Sequence, residues 1–275
     1  MALVFHKMHG LGNDFVVLDL RQRDFTLDGA AARRLADRRT GIGCDQVLAL
    51  RLPAADGAIA AFEIWNADGS PARQCGNGAR CLGAYLHRRR ETPGGPFVLE
   101  SPAGPLRLEC LSDGEVRVDM GEPRFAAGDV PVNLPVTRGR AVLELGGETL
   151  ELSVLSMGNP HAVLEVDDRD GAPVDTLGPA ISRHPAFPEG CNVGFSEIAG
   201  RGEIRLAVYE RGAGPTKACG SGACAAMVAA RHAGRVDATV RVIQPGGVLI
   251  IDWKGEGEPV MMTGPATHVF EGKLE

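Results

Sequence analysis

The strongest constraint on how this chain can fold is an internal repeat, in which similar short segments recur in the same order in both halves. Cys75 lies in the segment QCGNGA, and Cys219 lies 144 residues later in the similar segment ACGSGA. The repeat predicts two similar domains that each supply a thiol. Other recurring landmarks are Gly12-Asn13 with Gly158-Asn159, and Gly43-Cys44 with Gly190-Cys191.

A chain of 275 residues is long for one hydrophobic core, which agrees with two domains. We expect an N-terminal domain over 1–125 and a C-terminal domain over 126–262. Part of the tail, about 263–275, is expected to pack back on the first domain, and the active site is expected in the cleft between the domains.

Short β-branched runs alternate with Gly, Pro and Asp turns and predict strands, whereas few segments have helical periodicity. One helix is expected to start at each CGxG segment. The sequence therefore predicts an α+β fold, in which each pseudo-symmetric domain rolls a mostly antiparallel sheet around a central helix. Predicted helices span 27–38, 78–89, 177–183 and 222–233, and predicted strands span 4–6, 15–19, 47–52, 60–65, 97–101, 106–111, 116–120, 150–155, 162–166, 193–198, 203–209, 238–242 and 247–252.

Composition excludes several classes of function. With 29 basic against 35 acidic residues and a net charge of −6, the chain lacks the charge of a nucleic-acid binder. It contains no apolar run of membrane-spanning length and no signal-peptide pattern, so we expect a cytoplasmic protein with no membrane partner. Seven cysteines, an odd number, favour reduced thiols over a disulfide framework.

The position of Cys75 and Cys219 at the start of predicted helices gives them chemical meaning. The first-turn N–H groups and the positive end of the helix dipole form an anion site suited to a carboxylate. They also favour thiolate over thiol, which predicts a lowered cysteine pKa. Four glycines are expected to let the backbone turn tightly and bring its N–H groups close to a ligand, namely Gly76, Gly78, Gly220 and Gly222.

Two thiols in matching settings point to inversion of a carbon centre. One group must take a proton from one face, and a second must return a proton to the opposite face. The helix termini would stabilise the carbanion through the substrate carboxylate. We therefore expect no pyridoxal phosphate or other cofactor, and no metal.

Seven short segments also carry a resemblance to a known family. They are MHGLGNDF (8–15), NADGS (66–70), QCGNGARC (74–81), GNPH (158–161), ERGAG (210–214), ACGSGA (218–223) and GPA (264–266). Over about residues 5–270 the chain resembles the diaminopimelate epimerases. The resemblance implies cofactor-independent interconversion of LL- and meso-2,6-diaminopimelate, in lysine and peptidoglycan precursor synthesis, by an isomerase that forms a homodimer.

This resemblance implies a role for each motif residue. Cys75 and Cys219 would be the acid/base pair, and His161 and Glu210 would tune their protonation. The N–H groups of the residues after each cysteine would bind the carboxylate at the reacting centre. Arg211 would pair with the distal carboxylate and Glu210 with the distal ammonium. The implied substrate-binding residues are Asn13, Gln46, Asn66, Gly76, Asn77, Asn159, Asn192, Glu210, Arg211, Gly220 and Ser221.

Two other functions remain open from the sequence. Another cofactor-independent racemase, of the proline or hydroxyproline type, would share the paired cysteines but would need no clamp for a second amino-acid terminus. A thiol redox protein would join Cys75 and Cys219 in a reversible disulfide. The remaining five cysteines are interpreted as buried small hydrophobes. The spacings of Cys75 from Cys81 and of Cys219 from Cys224, without a matching pair of histidines, do not favour zinc.

Overall fold

The computed structural model describes residues 3–126 and 128–274. The chain divides into two compact units, Met1–Asp119 with Thr263–Glu275, and Met120–Met262. The first unit therefore contains strands from both ends of the chain, including the tail segment 263–274. The division falls six residues before the predicted end of the N-terminal domain at 125.

The first unit begins with a hairpin and is built around one long helix. Its elements are β1 (Leu3–Gly10), β2 (Asn13–Asp19), α1 (Gly29–Ala36), β3 (Gln46–Arg51), β4 (Ala58–Asn66), β5 (Pro71–Ala72), α2 (Gly76–Arg88), β6 (Phe97–Ser101), β7 (Gly104–Cys110), β8 (Val116–Asp119) and β18 (Thr267–Leu274).

The second unit has a similar succession of elements. They are β9 (Arg140–Leu145), β10 (Glu148–Ser156), β11 (Pro160–Glu165), α3 (Val174–Ser182), β12 (Asn192–Gly200), β13 (Glu203–Glu210), β14 (Gly214–Thr216), α4 (Gly220–His232), β15 (Thr239–Gln244) and β16 (Gly247–Asp252). The remaining strand, β17 (Met261–Gly264), contains the division between the units.

Strand pairing repeats between the units, which confirms the predicted pseudo-symmetry. In the first unit β1–β2 is antiparallel, β2–β3 parallel, β3–β4 antiparallel, β4–β6 parallel and β6–β7 antiparallel. In the second unit β10–β11, β11–β12, β12–β13, β13–β15 and β15–β16 follow the same order of directions. The short strands β5 and β14 pair in the same way with β4 and β13.

Each CGxG helix is central to its unit. Helix α2 contacts β1, β2, β7, β8 and β18, and α4 contacts β10 to β13, β15 and β16. The buried face of α4 is composed largely of alanines, which let strands approach the helix closely. This arrangement confirms an α+β fold with a helix enclosed by a rolled, mostly antiparallel sheet.

Helix and strand bounds differ from the predictions mainly at their ends. Helices α2 and α4 begin two residues earlier than predicted, at Gly76 and Gly220, because the preceding cysteine is itself the N-cap. Five strands were not predicted: β5, β9, β14, β17 and β18. Of these, β5 and β14 contain two and three residues, too few for periodicity to show.

Apolar burial accounts for the stability of each unit. One cluster of the second unit contains Phe187, Phe195 and Leu152, and one cluster of the first unit contains Ala32 of α1 together with Val16 of β2. No helix within the described ranges is long and apolar enough to cross a membrane.

Candidate active site

In the first unit, Cys75 is the N-cap residue of α2. Its backbone is extended, at φ −152° and ψ 103°, and its Sγ accepts a hydrogen bond from the Gly78 N–H at 3.4 Å. The Cys75 side chain is partly buried. A cysteine in place of the usual Ser or Asp cap puts a nucleophilic sulfur at the positive end of the helix.

The side chains beside Cys75 form a chain of oriented amides. Arg80, fully buried, donates from Nη2 to the Asn77 Oδ1 at 2.9 Å, which leaves the Asn77 Nδ2 to donate to the Asn13 Oδ1 at 3.2 Å. The Asn13 Nδ2 in turn donates to Asp45 at 3.0 Å. The Asn13 Oδ1 therefore points toward α2, where the Cys75 Sγ lies 3.9 Å away.

An ionic network fixes the segment that carries Asn13. The Asp14 carboxylate accepts hydrogen bonds from Arg38 and, at 2.5 Å, from Lys7, and Arg38 also binds Asp45 at 2.7 Å. Burial alone would raise the pKa of Asp14, but the hydrogen bonds from Arg38 and Lys7 outweigh it and hold the pKa well below its usual range. Asp14 therefore stays ionised and keeps the segment in place.

Gln46 and Asn66 lie at the same end of the sheet as Asn13. Gln46 begins β3 and pairs in register with Asn66 at the end of β4. The Gln46 Nε2 donates to the Asn66 Oδ1 at 2.8 Å, and the Asn66 Nδ2 donates to the Ser70 hydroxyl at 3.0 Å. Parallel pairing of β2 with β3 brings these amides close to the start of β2.

In the second unit, Cys219 is the N-cap residue of α4 and is only 4% exposed. Its Sγ accepts a hydrogen bond from the Gly222 N–H at 3.4 Å and lies 3.7 Å from the Ser221 Oγ. Its own backbone N–H donates to the Gln244 Oε1 at 2.7 Å. Gln244, at the end of β15, thus holds the residue that caps the helix.

The pKa of Cys219 is raised well above its usual value. Burial of the thiol is the largest cause, and the Glu210 carboxylate adds to it, whereas hydrogen bonds from the Gly222 N–H and the Ser221 hydroxyl lower the pKa by less. The expectation that the helix terminus lowers the pKa is therefore wrong for Cys219, because desolvation and a nearby negative charge outweigh the helix. Both effects favour the protonated form of Cys219.

Asn159 and His161 connect β11 to the first turn of α4. The Asn159 Nδ2 donates to the Ser221 Oγ at 3.4 Å, and the His161 Nε2 lies 3.0 Å from the Asn159 Oδ1, where the ring N–H donates. Burial, together with the positive charge of Arg211, lowers the pKa of His161 to about 3. His161 is therefore neutral at physiological pH, and its ring orients the Asn159 amide.

Two charged residues at the end of β13, Glu210 and the following Arg211, distinguish the second unit from the first. The Glu210 Oε1 accepts a hydrogen bond from the Thr216 hydroxyl at 2.6 Å. The backbone N–H of Arg211 donates to the Asn192 Oδ1 at 3.0 Å, and its Nη1 donates to the Glu189 carbonyl at 2.8 Å. The Glu210 carboxylate and the Arg211 guanidinium are therefore each held by contacts within the second unit.

Gly78 and Gly222 are glycines because of space and not because of backbone conformation. Neither has a positive φ. A Cβ on Gly222 would lie 3.2 Å from the Sγ of Cys219, and one on Gly78 would lie 3.2 Å from Leu48. The reason given from sequence, backbone freedom for a tight turn, applies instead to Gly12 and Gly158, which have φ of 85° and 88° just before Asn13 and Asn159.

Within each unit, the residues predicted from sequence lie together. Asn13, Cys75 and Asn77 are linked by contacts, and Gln46 pairs with Asn66 at the same sheet end. In the second unit, Ser221 links Cys219 to Asn159 and His161. Asn192 contacts Arg211, and the charge of Glu210 acts on Cys219. None of these side chains belongs to a metal-ligating cluster found among residues 3–126 and 128–274.

Sequence reasoning missed the residues that support these groups, chiefly Arg80, Asp45, Thr216 and Gln244. One signal was available for Gln244. The segment Gln244-Pro-Gly-Gly247 recurs from Ser101-Pro-Ala-Gly104, and both segments turn between paired strands. For Arg80 no signal existed, because a fully buried arginine runs against composition rules.

The chain is similar to known proteins over almost its whole length. The model of the family described as diaminopimelate epimerase matches residues 5–126 and 153–269. A diaminopimelate epimerase of Thioalkalivibrio sulfidiphilus is 50% identical over 100% of both chains. One of Xylella fastidiosa is 51% identical, covering 98% of this chain and 95% of its own.

Solved structures show the same fold in more distant proteins. A probable proline racemase from Agrobacterium radiobacter has a TM-score of 0.72 at 18% identity, covering 99% of this chain and 93% of its own. A hydroxyproline epimerase from Agrobacterium vitis has a TM-score of 0.72 at 15% identity, covering 99% and 92%. The family model and the close relatives show that the chain belongs to the diaminopimelate epimerase family.

Proposed function

We propose that this protein interconverts LL- and meso-2,6-diaminopimelate without a cofactor, as an isomerase of lysine and peptidoglycan precursor synthesis. One observation carries the proposal. Cys75 and Cys219 occupy the same place in two repeated units, each as the N-cap of a central helix beside a repeated asparagine. The printed names of relatives near 50% identity supply the substrate.

In the proposed reaction the two cysteines act as base and acid. A thiolate sulfur takes the proton from the α-carbon. The electron pair of the broken C–H bond remains on the α-carbon, which becomes a carbanion. The other thiol then donates its proton to the opposite face, which inverts the centre. Since burial and the Glu210 charge favour the protonated form of Cys219, we propose it as the donor at rest and Cys75 as the acceptor.

The α-carboxylate would be held by N–H groups at the two helix termini. Those of Gly76, Asn77, Gly220 and Ser221 belong to the first turns of α2 and α4. These donors are fixed before the reaction, so they stabilise negative charge that develops on the carboxylate without reorganisation.

The distal amino-acid end of the substrate would be recognised by charge. Arg211 would pair with the distal carboxylate and Glu210 with the distal ammonium, while the amides of Asn13, Gln46, Asn66, Asn159 and Asn192 complete the pocket. Anchoring of Arg211 by the Glu189 carbonyl restricts the guanidinium, which favours a directed ion pair. A substrate with one amino-acid end has no use for this pair.

The test of substrate is a parallel assay of LL-diaminopimelate, proline and trans-4-hydroxyproline with reduced protein. We expect the protein to convert diaminopimelate and neither of the other two substrates, as measured by chiral chromatography. Turnover of proline or hydroxyproline, without diaminopimelate, would assign the chain to the other racemase type. Activity on none of them, together with a dithiol that cycles with a redox buffer, would support the thiol redox function.

We also propose that the protein acts as a cytoplasmic homodimer. Two reactive thiols require a reducing compartment, and Val269 and Phe270 are adjacent exposed apolar residues on β18 that a second copy would cover. Sedimentation equilibrium at micromolar concentration checks the assembly: a mass twice that of the chain is expected, and a single-chain mass contradicts it.

A further inference from the structure

The paired strands β1 and β18 hold three side chains able to ligate a metal, and these are not residues of the proposed reaction. The ligand atoms of His6, His268 and Glu271 all lie within 4.8 Å of one another. We propose that they form a binding site for a divalent transition metal of the zinc class, which joins the N-terminal strand to the C-terminal strand.

A β-bulge is what brings the three residues together. His268 and Glu271 are three positions apart, so in a regular strand their side chains would point to opposite faces. The register shifts between Lys7 and Met8, so that His268 lies opposite Met8 and Glu271 opposite His6. Because the extra residue in β18 restores the alternation, His268 and Glu271 share the face of His6.

The distances suit a tetrahedral ion. The His6 Nδ1 lies 3.2 Å from the His268 Nε2 and 3.6 Å from the Glu271 carboxylate. Ligands at zinc bond lengths of 2.0–2.2 Å are about 3.3 Å apart in a tetrahedron. Glu271 is the exposed member, at 66% of its side chain, so rotation of its carboxylate can complete the third edge.

The chemistry of the donor set favours zinc over calcium or magnesium. Two imidazole nitrogens and one carboxylate form a nitrogen-rich site with a fourth position for water. Without metal, one ring N–H donates to the facing ring nitrogen. Binding would require this proton to move to the other nitrogen of its own ring, so that both lone pairs face the ion.

The rings are already oriented, which reduces the entropy cost of binding. The Tyr85 ring of α2 packs on His6 with centroids 4.8 Å apart, and the Tyr85 hydroxyl donates to Asp19. The His6 side chain is 13% exposed. A metal here would bind the folded state and raise the melting temperature.

The test is calorimetric titration of the reduced full-length protein with Zn²⁺, together with Co²⁺ absorption spectroscopy and thermal unfolding. We expect one equivalent per chain and a spectrum of nitrogen and oxygen ligands. His268→Asn and Glu271→Gln should each weaken binding more than about tenfold, since even outer-sphere partners cost 10–100-fold. The matched control is His232→Asn, because His232 pairs with Glu256 at 3.6 Å without a second histidine.

Three outcomes would overturn the proposal. The first is unchanged Zn²⁺ binding in His268→Asn and Glu271→Gln. The second is a Co²⁺ spectrum with thiolate charge-transfer bands, which would assign the metal to cysteines, and the third is the absence of binding by the wild-type protein. Circular dichroism of each variant checks that it is folded. Epimerisation in the presence of a chelator separates this site from the reaction, because the proposed acid/base chemistry needs no metal.

Discussion

The two cysteine sites share a backbone arrangement, since each cysteine is the N-cap of a helix, but they differ in the charge of the surrounding side chains. Around Cys75, the ends of β3 and β4 carry neutral amides, Gln46 and Asn66, which bond to each other. At the matching positions of the second unit lie Asn192 and Glu210, with Arg211 next to them. The repeat thus gives each unit a cysteine in the same local setting, while different residues at the strand ends give the second unit charged side chains.

Burial differs between the sites as well. Cys75 is partly buried, whereas Cys219 is 4% exposed and has its pKa raised by burial and by Glu210. A symmetric pair of thiols would have no preferred resting state. The more buried environment of Cys219 and the nearby Glu210 charge both favour the protonated form of this thiol.

Removal of either thiol tests the symmetric part of this comparison and has the largest expected effect. Cys75→Ala and Cys219→Ala should each lower kcat by about 10²–10⁴-fold or more, the contribution of a positioned acid or base. The matched control is Cys110→Ala, a partly buried thiol on β7 that should retain wild-type turnover. Full turnover in either site variant would contradict the two-thiol assignment.

Removal of the guanidinium tests the asymmetric part. Arg211→Gln should lower kcat/KM for diaminopimelate by about 10–100-fold, since a hydrogen bond to a charged group contributes about 1.5–3 kcal/mol. The effect should fall mainly on KM, measured by steady-state kinetics. Arg205→Gln is the control, because Arg205 lies on β13, the strand just before Arg211, in an ion pair with Glu197. An equal loss in both variants would show that Arg211 acts only through stability.

Gln244 tests whether the cap of α4 needs its own support. Gln244→Leu leaves the buried Cys219 N–H without its acceptor, and we expect a loss of about 1–3 kcal/mol in unfolding free energy, measured by urea denaturation. Ser101→Ala, at the matching place in the first unit, should cost less, because its hydroxyl bonds only within a turn. Equal costs would mean that the Gln244 contact contributes nothing specific.

Glu210 tests the cause of the raised Cys219 pKa and has the smallest expected effect. Glu210→Gln removes a negative charge that disfavours thiolate, so the pKa of Cys219 should fall. At a given alkaline pH, alkylation of Cys219 followed by peptide mass spectrometry should then be faster than in wild type. Glu203→Gln, also on β13, should leave the rate unchanged, and no change in either variant would rule out the charge effect.

Much of this arrangement could be predicted from the sequence, because the repeat marks both units and the motif resemblance marks the candidate substrate-binding residues. The raised pKa of the Cys219 thiol could not be predicted in this way. A cysteine at a helix N-terminus predicts a lowered pKa, but the opposing effects of burial and Glu210 on Cys219 depend on tertiary packing. The buried Arg80 and Gln244 were likewise missed, since they act by holding other side chains.

Strand β18 was missed for a different reason. Its residues Val269 and Phe270 are exposed and its side-chain pattern is interrupted by the bulge opposite β1, so the alternation that identifies a strand is absent. Pairing with a strand from the other end of the chain is a long-range contact that local patterns do not reveal.

The most direct test of the central claim is the position of deuterium after brief reaction of LL-diaminopimelate in deuterated water. If two thiols act, the proton leaves on one sulfur and a solvent deuteron arrives from the other. Mass spectrometry at low conversion should then find deuterium in the meso product and none in the remaining LL substrate. Equal labelling of recovered substrate and product, or meso product without deuterium, would show that one group both removes and returns the proton.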